Sequence, residues 1–217
     1  MVSVYFIRHA ESEGNVNHHI IGGQSNHLPL TSRGKEQADR LGQRLLTEKL
    51  AFVQVHSSIA VRAIETARIA MAHVGVTPAA IQQTAALVEV SQGEWEGQLR
   101  ADIYTPERRA EIEAAPLDFK APGGESIREV QARMLDWLTA AVAPFDPADS
   151  VNLLAFTHGF ALRSLLMKLL DANPLMARRT VTHNTSLTVL QHDGAQWYIE
   201  RLNDTAHLAG TEMVGHY

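Results

Sequence analysis

The sequence predicts an α/β fold: a mostly parallel central sheet with helices on both faces, one antiparallel edge hairpin and a small helical cap insertion. Three observations carry that prediction. Short apolar runs rich in β-branched and aromatic residues, at residues 4–7, 52–55 and 151–156, read as buried strands. Each gives way to a helical pattern, and strands alternating with helices build parallel sheets. Near the end, Asp193-Gly194 separates two further strand-like runs, residues 186–192 and 196–202, which is a hairpin signal.

The elements follow in order. The first strand, Val4-Tyr5-Phe6-Ile7, stops abruptly at Arg8-His9-Ala10. Residues 12–30 are polar and Gly-rich, a loop long enough to be functional. Thr31 is placed to cap a helix over residues 32–48, with Ala38, Leu41, Leu45 and Leu46 on one face. The second strand, residues 52–57, ends at Ser57-Ser58. A helix follows with Arg62 in its first turn and Ile64, Ala67, Ile69 and Met71 behind it. A third apolar segment, residues 81–90, contains Glu89 near its end and leads into a Gly-rich corner, Gly93-Glu94-Trp95-Glu96-Gly97.

Residues 98–122 differ in texture, being dense in charge, with Thr105-Pro106 opening a short helix and Pro122-Gly123-Gly124 closing the excursion. They are expected to pack as an insertion over the sheet's edge, within a single domain covering residues 1–217. Ser126-Ile127-Arg128-Glu129 is a capping box for a helix running to about residue 143, with Val130, Met134, Trp137 and Leu138 in the core. The clearest strand, residues 151–157, ends in His158-Gly159, and a helix over residues 160–171 begins at once.

Composition narrows the chemistry. The 217 residues are 45% hydrophobic and 20% charged, ordinary values for a globular protein. The absence of cysteine excludes disulfides, thiolate metal sites and cysteine nucleophiles. A net charge of −5 with no basic run argues against nucleic-acid binding. With no leader-like stretch and no long apolar run, a cytoplasmic protein without membrane association is expected. His18, His19 and His27 lack ligand spacing and carboxylate partners, so no metal is expected.

In open α/β sheets, ligands bind beyond the carboxyl ends of the strands. Three strand ends deliver Arg8-His9, Arg62 and His158 to that rim, and a fourth delivers Glu89. Two arginines and two histidines in one pocket repel each other unless an anion lies between them. Guanidinium forks match phosphate oxygens in bidentate geometry. A neutral imidazole is a competent nucleophile when a partner holds the proton of one nitrogen. Gly159 lets the backbone approach a ligand closely. No Walker loop or Rossmann glycine fingerprint follows any strand.

The residues that carry a family resemblance are now in hand. They include Arg8-His9-Ala10-Glu11-Ser12 with Asn15, Thr31 to Gly34, Ser57-Ser58 with Arg62, and Glu89 with Trp95-Glu96-Gly97. Pro122-Gly123-Gly124-Glu125-Ser126, Thr157-His158-Gly159 and Asn184-Thr185-Ser186 complete the set. In this order, spanning nearly the whole chain, they resemble the histidine phosphatase superfamily, which includes cofactor-dependent phosphoglycerate mutases.

The resemblance implies the phosphoglycerate mutase-like fold and a phosphoenzyme mechanism. His9 is then the nucleophile, while Arg8, Arg62 and His158 hold the phosphoryl oxygens with help from Asn15 and Gly159. Glu89 is the general acid, and afterwards the base that activates water. Ala10 departs from the more frequent glycine, and Ile59-Ala60-Val61 from the usual polar or proline-containing variants. The compact insertion and the tail at residues 202–208 favour the phosphatase branch over a mutase. A catalytically silent phosphate-binding module is disfavoured because every catalytic position is filled. The expected activity is hydrolysis of small phosphomonoesters without metal or cofactor, by a monomer or homodimer whose partner is a small phosphorylated metabolite.

Overall fold

All residues of the first strand, β1 (Val2–Arg8), are buried, and their alternation builds two cores at once. Val2, Val4 and Phe6 face one side and Tyr5 and Ile7 the other, because successive strand side chains point to opposite faces. A strand covered on both faces has no polar side, which is why residues 4–7 run continuously apolar. The computed structural model describes residues 1–210. After β1 come α1 (Glu13–Val16), α2 (Ser32–Thr47), β2 (Gln54–Ser58), α3 (Val61–Ala72) and β3 (Ile81–Thr84). Next are α4 (Arg100–Ile103), α5 (Pro106–Ala114), α6 (Ile127–Val142), β4 (Val151–Thr157), α7 (Gly159–Leu169) and α8 (Met176–Arg179). The hairpin β5 (Leu187–His192) and β6 (Trp197–Asp204) comes last.

The sheet order is β3-β2-β4-β1-β5-β6. Pairings from β3 through β1 are parallel, and β5 and β6 add the antiparallel edge. On one face, Val130, Met134 and Leu138 of α6 and Leu162 and Leu165 of α7 meet Val4, Phe6, Leu153 and Ala155. On the other, Leu41 and Leu45 of α2 and Ala67 and Met71 of α3 cover Ile7, Leu154 and Phe156. The register sets Arg8 against Thr157 and Ser57 against Phe156, so the ends of β1, β2 and β4 lie level on one rim.

Several expectations need correction. Leu46 is exposed: the buried face of α2 takes Ala38, Leu41 and Leu45, and Leu46 falls just beyond it. β3 stops at Thr84, and a 3-10 turn over Ala85–Leu87 replaces the strand that the apolar pattern suggested. The insertion does not lie over the sheet's edge. Its Ile103, Tyr104 and Phe119 pack on Ile21 and Trp95, and backbone bonds join Ile21 to Gln98 and Gly97. Among the described residues no helix is long and apolar enough to cross a membrane.

Candidate active site

Arg8 closes β1, His9 follows it, Arg62 lies in the first turn of α3, and His158 is the N-cap of α7. All four are buried, and the structure brings them together as the strand ends predict. The Arg62 guanidinium joins the cluster: Nε donates to His9 Nε2 at 3.2 Å, Nη2 lies 3.1 Å from His158 Nδ1, and Nη1 donates to the Ser25 carbonyl at 2.9 Å. The two imidazole centroids are 5.0 Å apart.

These contacts assign the tautomers. His9 Nε2 accepts from Arg62, so Nδ1 carries the proton and donates it to the Ala10 carbonyl at 2.7 Å. His158 Nδ1 likewise faces a donor, so its Nε2–H points to Ser58 Oγ at 2.8 Å. Burial first, and then the Arg62 charge, pushes both imidazoles well below their ordinary pKa. Both rings are therefore neutral, and His9 presents a lone pair on Nε2. Ala10 does not crowd this turn. Its methyl is buried with Leu30 and Ala38, and its N–H donates to Thr66 Oγ1 at 3.0 Å.

Arg8 donates Nη1 to the Thr182 carbonyl at 2.6 Å, while its buried Nε has no partner among the described residues. Desolvation pushes Arg8 and Arg62 down to about 10. A buried donor without an acceptor is costly, and two buried guanidiniums without carboxylates form a receptor for an anion. A side chain at position 159 would crowd these groups. A Cβ on Gly159 would stand 3.0 Å from Thr182 Oγ1 and 3.2 Å from Arg8 Nε.

Glu89 reaches the rim along a route the sequence did not reveal. It lies five residues beyond β3 and is half-buried. Its carboxylate accepts from the N–H groups of Val90 at 3.0 Å, Phe160 at 3.0 Å and Ala161 at 2.8 Å, sitting on the N-terminus of α7 where backbone donors suit an anion. Arg133 fixes the loop behind it, donating to the carbonyls of Ala86, Val88 and Glu89 and pairing with Glu125. Asn15 spends Oδ1 on Ser12 N–H and Asn184 Nδ2, which leaves its own amide N–H groups for a ligand.

Sequence reasoning gave no role to Asn184, Ser58, Thr182 or Arg133. Asn184 Nδ2 also donates to the His9 carbonyl at 2.9 Å, bracing the turn that aims the imidazole. The matching Asn184-Thr185-Ser186 stretch was the available signal. His18 and His19 are exposed with ring centroids 6.2 Å apart, and His18 lies at the wall of the cavity described below. Among the described residues no cluster of three or more His, Cys, Asp or Glu side chains has metal-site geometry.

A cavity of about 640 Å³ opens above the cluster. Arg8 and Arg62 lie at its floor, Arg163, Arg178 and Arg179 line the α7–α8 wall, and Arg100 and Arg109 line the insertion wall. Among the described residues that line it, Glu89 and Glu113 are the only carboxylates. In a chain of net charge −5, this concentrates positive charge around one cavity, where it would attract an anion. The arrangement can bind a phosphoryl group, present a nucleophilic nitrogen to it and place a carboxyl group beside the leaving oxygen.

The chain is similar in sequence and fold to known proteins. The family model of the histidine phosphatase superfamily (branch 1) matches residues 4–205. A probable phosphoglycerate mutase, GpmB of Salmonella choleraesuis, is 30% identical, the match covering 96% of this chain and 95% of that protein. The solved structure of YhfR from Bacillus stearothermophilus is 27% identical, with a TM-score of 0.81 over 96% of this chain and 100% of that one. A mycobacterial glucosyl-3-phosphoglycerate phosphatase shares the fold at 22% identity, with a TM-score of 0.77 over 93% of this chain and 98% of that one. With its six-stranded sheet and its paired arginines and histidines at one rim, the chain belongs to the histidine phosphatase superfamily.

Proposed function

We propose that the protein hydrolyses small phosphomonoesters through a phosphohistidine on His9. The observation that carries this reading is the fixed tautomer of His9, with Nδ1–H on the Ala10 carbonyl and Nε2 against the Arg62 guanidinium, which like that of Arg8 is buried without a carboxylate partner among the described residues. A phosphoryl oxygen is a stronger acceptor than imidazole nitrogen, so the substrate takes over the Arg62 donors and frees Nε2. Nε2 then attacks phosphorus and the bond to the leaving oxygen breaks. The departing electron pair takes a proton from Glu89, and the alcohol leaves. Glu89, now a carboxylate held by backbone N–H groups, takes a proton from water as that water attacks phosphorus. The N–P bond breaks, its electron pair returns to Nε2, and phosphate departs. Arg8, Arg62, His158, Asn15 and the Gly159 amide stabilise the charge on the transferring group.

A mutase is the second reading, favoured by the curated name of the Salmonella relative. The two differ in the acceptor of the phosphoryl group, water or a second hydroxyl. Incubation with 3-phosphoglycerate, with and without 2,3-bisphosphoglycerate, separates them. Hydrolysis predicts inorganic phosphate in both incubations. Primer-dependent formation of 2-phosphoglycerate without phosphate release would establish the mutase instead. Guanidinium and imidazole groups supply the charge that metal ions provide elsewhere, so phosphate release should survive dialysis against a chelator. Loss on chelation, restored by one divalent ion, would contradict the mechanism.

A further inference from the structure

The arginines of this chain fall into two sets. The seven that line the cavity have no carboxylate oxygen within 4.0 Å among the described residues. Of the other eight, all but Arg68 form such a pair. One phosphoryl group engages the two arginines at the cavity floor. It leaves the α7–α8 wall unanswered.

Contacts within the fold hold that wall in place. The guanidiniums of Arg163 and Arg178 lie 5.6 Å and 5.4 Å from the Phe160 ring centroid, which orients both by cation–π contact. Arg163 is fixed further, its Nε donating to the Ala177 carbonyl at 2.7 Å and its Nη1 to Thr182 Oγ1 at 3.2 Å. Thr182 also accepts Arg8 through its carbonyl, so one residue ties the phosphoryl floor to the Arg163 wall. Phe160 supplies one of the N–H groups that hold Glu89, which places the stack beside the carboxyl group assigned to the leaving oxygen.

We infer that the substrate carries a second anionic group on its leaving alcohol, and that Arg163 and Arg178, oriented by Phe160, receive it. The anion is a carboxylate or a second phosphate a few bonds from the scissile oxygen. The specificity determinants then lie in α7 and α8. The inference rests on the phosphomonoester reading above.

Three probes test it: propyl phosphate, its carboxylate analogue phosphonooxypropanoate, and propanediol bisphosphate. The wild-type protein should show kcat/KM about tenfold or more higher for at least one anionic probe than for propyl phosphate, as expected for one charge-assisted contact. Which probe leads tells carboxylate from phosphate. Arg178→Gln should bring the ratio towards one, and Arg178→Glu should take it below one. Arg178 is solvent-exposed, so these variants should fold. Calorimetric titration of the same probes into His9→Ala reads the preference as a ratio of Kd without turnover. A wild-type ratio near one, or ratios unchanged in both Arg178 variants, overturns the inference. If calorimetry shows the preference and no probe is hydrolysed, the hydrolase reading fails and the anion site stands.

Discussion

Glu89 shows most plainly what a single residue contributes and how its role can be isolated. An alkoxide is a poor leaving group and needs a proton, whereas nitrophenolate departs unaided. Glu89→Gln keeps the size and can still meet part of the amide cluster at α7, but it can donate no acidic proton. In single-turnover phosphorylation the variant should lose at least about tenfold more rate on an alkyl phosphate than on p-nitrophenyl phosphate, since general acid catalysis contributes roughly 10²–10⁴. Equal losses on the two substrates would remove Glu89 from the acid role. At this scale much was legible in the sequence. Arg8, His9, Arg62 and His158 each sit at a strand end or helix start, a local signal that placed all four. Asn184 was not legible as a brace, because its bond to the His9 carbonyl spans 175 residues and follows only from the fold.

Among the elements, α2 shows how a packing contact reaches the site. Thr31 caps it, accepting the Gly34 N–H at 2.9 Å and donating to Glu11 Oε1 at 2.7 Å. The first turn of α2 lies so close to the loop after β1 that a Cβ at position 34 would fall on the Glu11 carbonyl. Gly34→Ala should therefore cost about 1–3 kcal/mol in chemical denaturation and lower kcat, because the displaced loop carries His9 and Asn15. A stable variant of unchanged activity would show that the loop tolerates movement. Capping signals made both α2 and α6 legible, since Thr31 and the Ser126–Glu129 box are local chemistry. The four-residue α8 and the seating of the insertion were not legible. No periodicity marks a helix so short, and Tyr104 and Phe119 find Trp95 only after the chain has folded back.

At the scale of the whole molecule, histidines that are buried or half-buried make stability depend on pH. His207 is the clearest. It accepts from Arg44 at 3.4 Å, meets Thr185 Oγ1 at 2.9 Å, and is pushed down to about 4, chiefly by burial and then by the Arg44 charge. In the unfolded chain it titrates near 6.5. Its stabilising contribution is complete above that value. As pH falls from 6.5 to about 4 the unfolded state binds a proton that the folded state refuses, and stability is lost. The loss amounts to at most about 3 kcal/mol for this residue. His207→Gln should flatten the pH dependence of unfolding free energy over that window by about this amount. Parallel curves for the two proteins would show that His207 titrates alike in both states. The same network braces the site, since Thr185 donates its N–H to the Arg8 carbonyl.

The central claim is that His9 carries the phosphoryl group during turnover. Rapid acid-free quenching of p-nitrophenyl phosphate turnover, followed by intact mass measurement and peptide mapping, tests it directly. The account predicts one phosphoryl group per chain, mapped to His9, labile to acid and stable to alkali, and absent from His9→Ala. It also predicts accumulation of that species in Glu89→Gln, where water attack lacks its base. Turnover of His9→Ala at a near-normal rate, or a phosphoryl group mapped to any other residue, would contradict it.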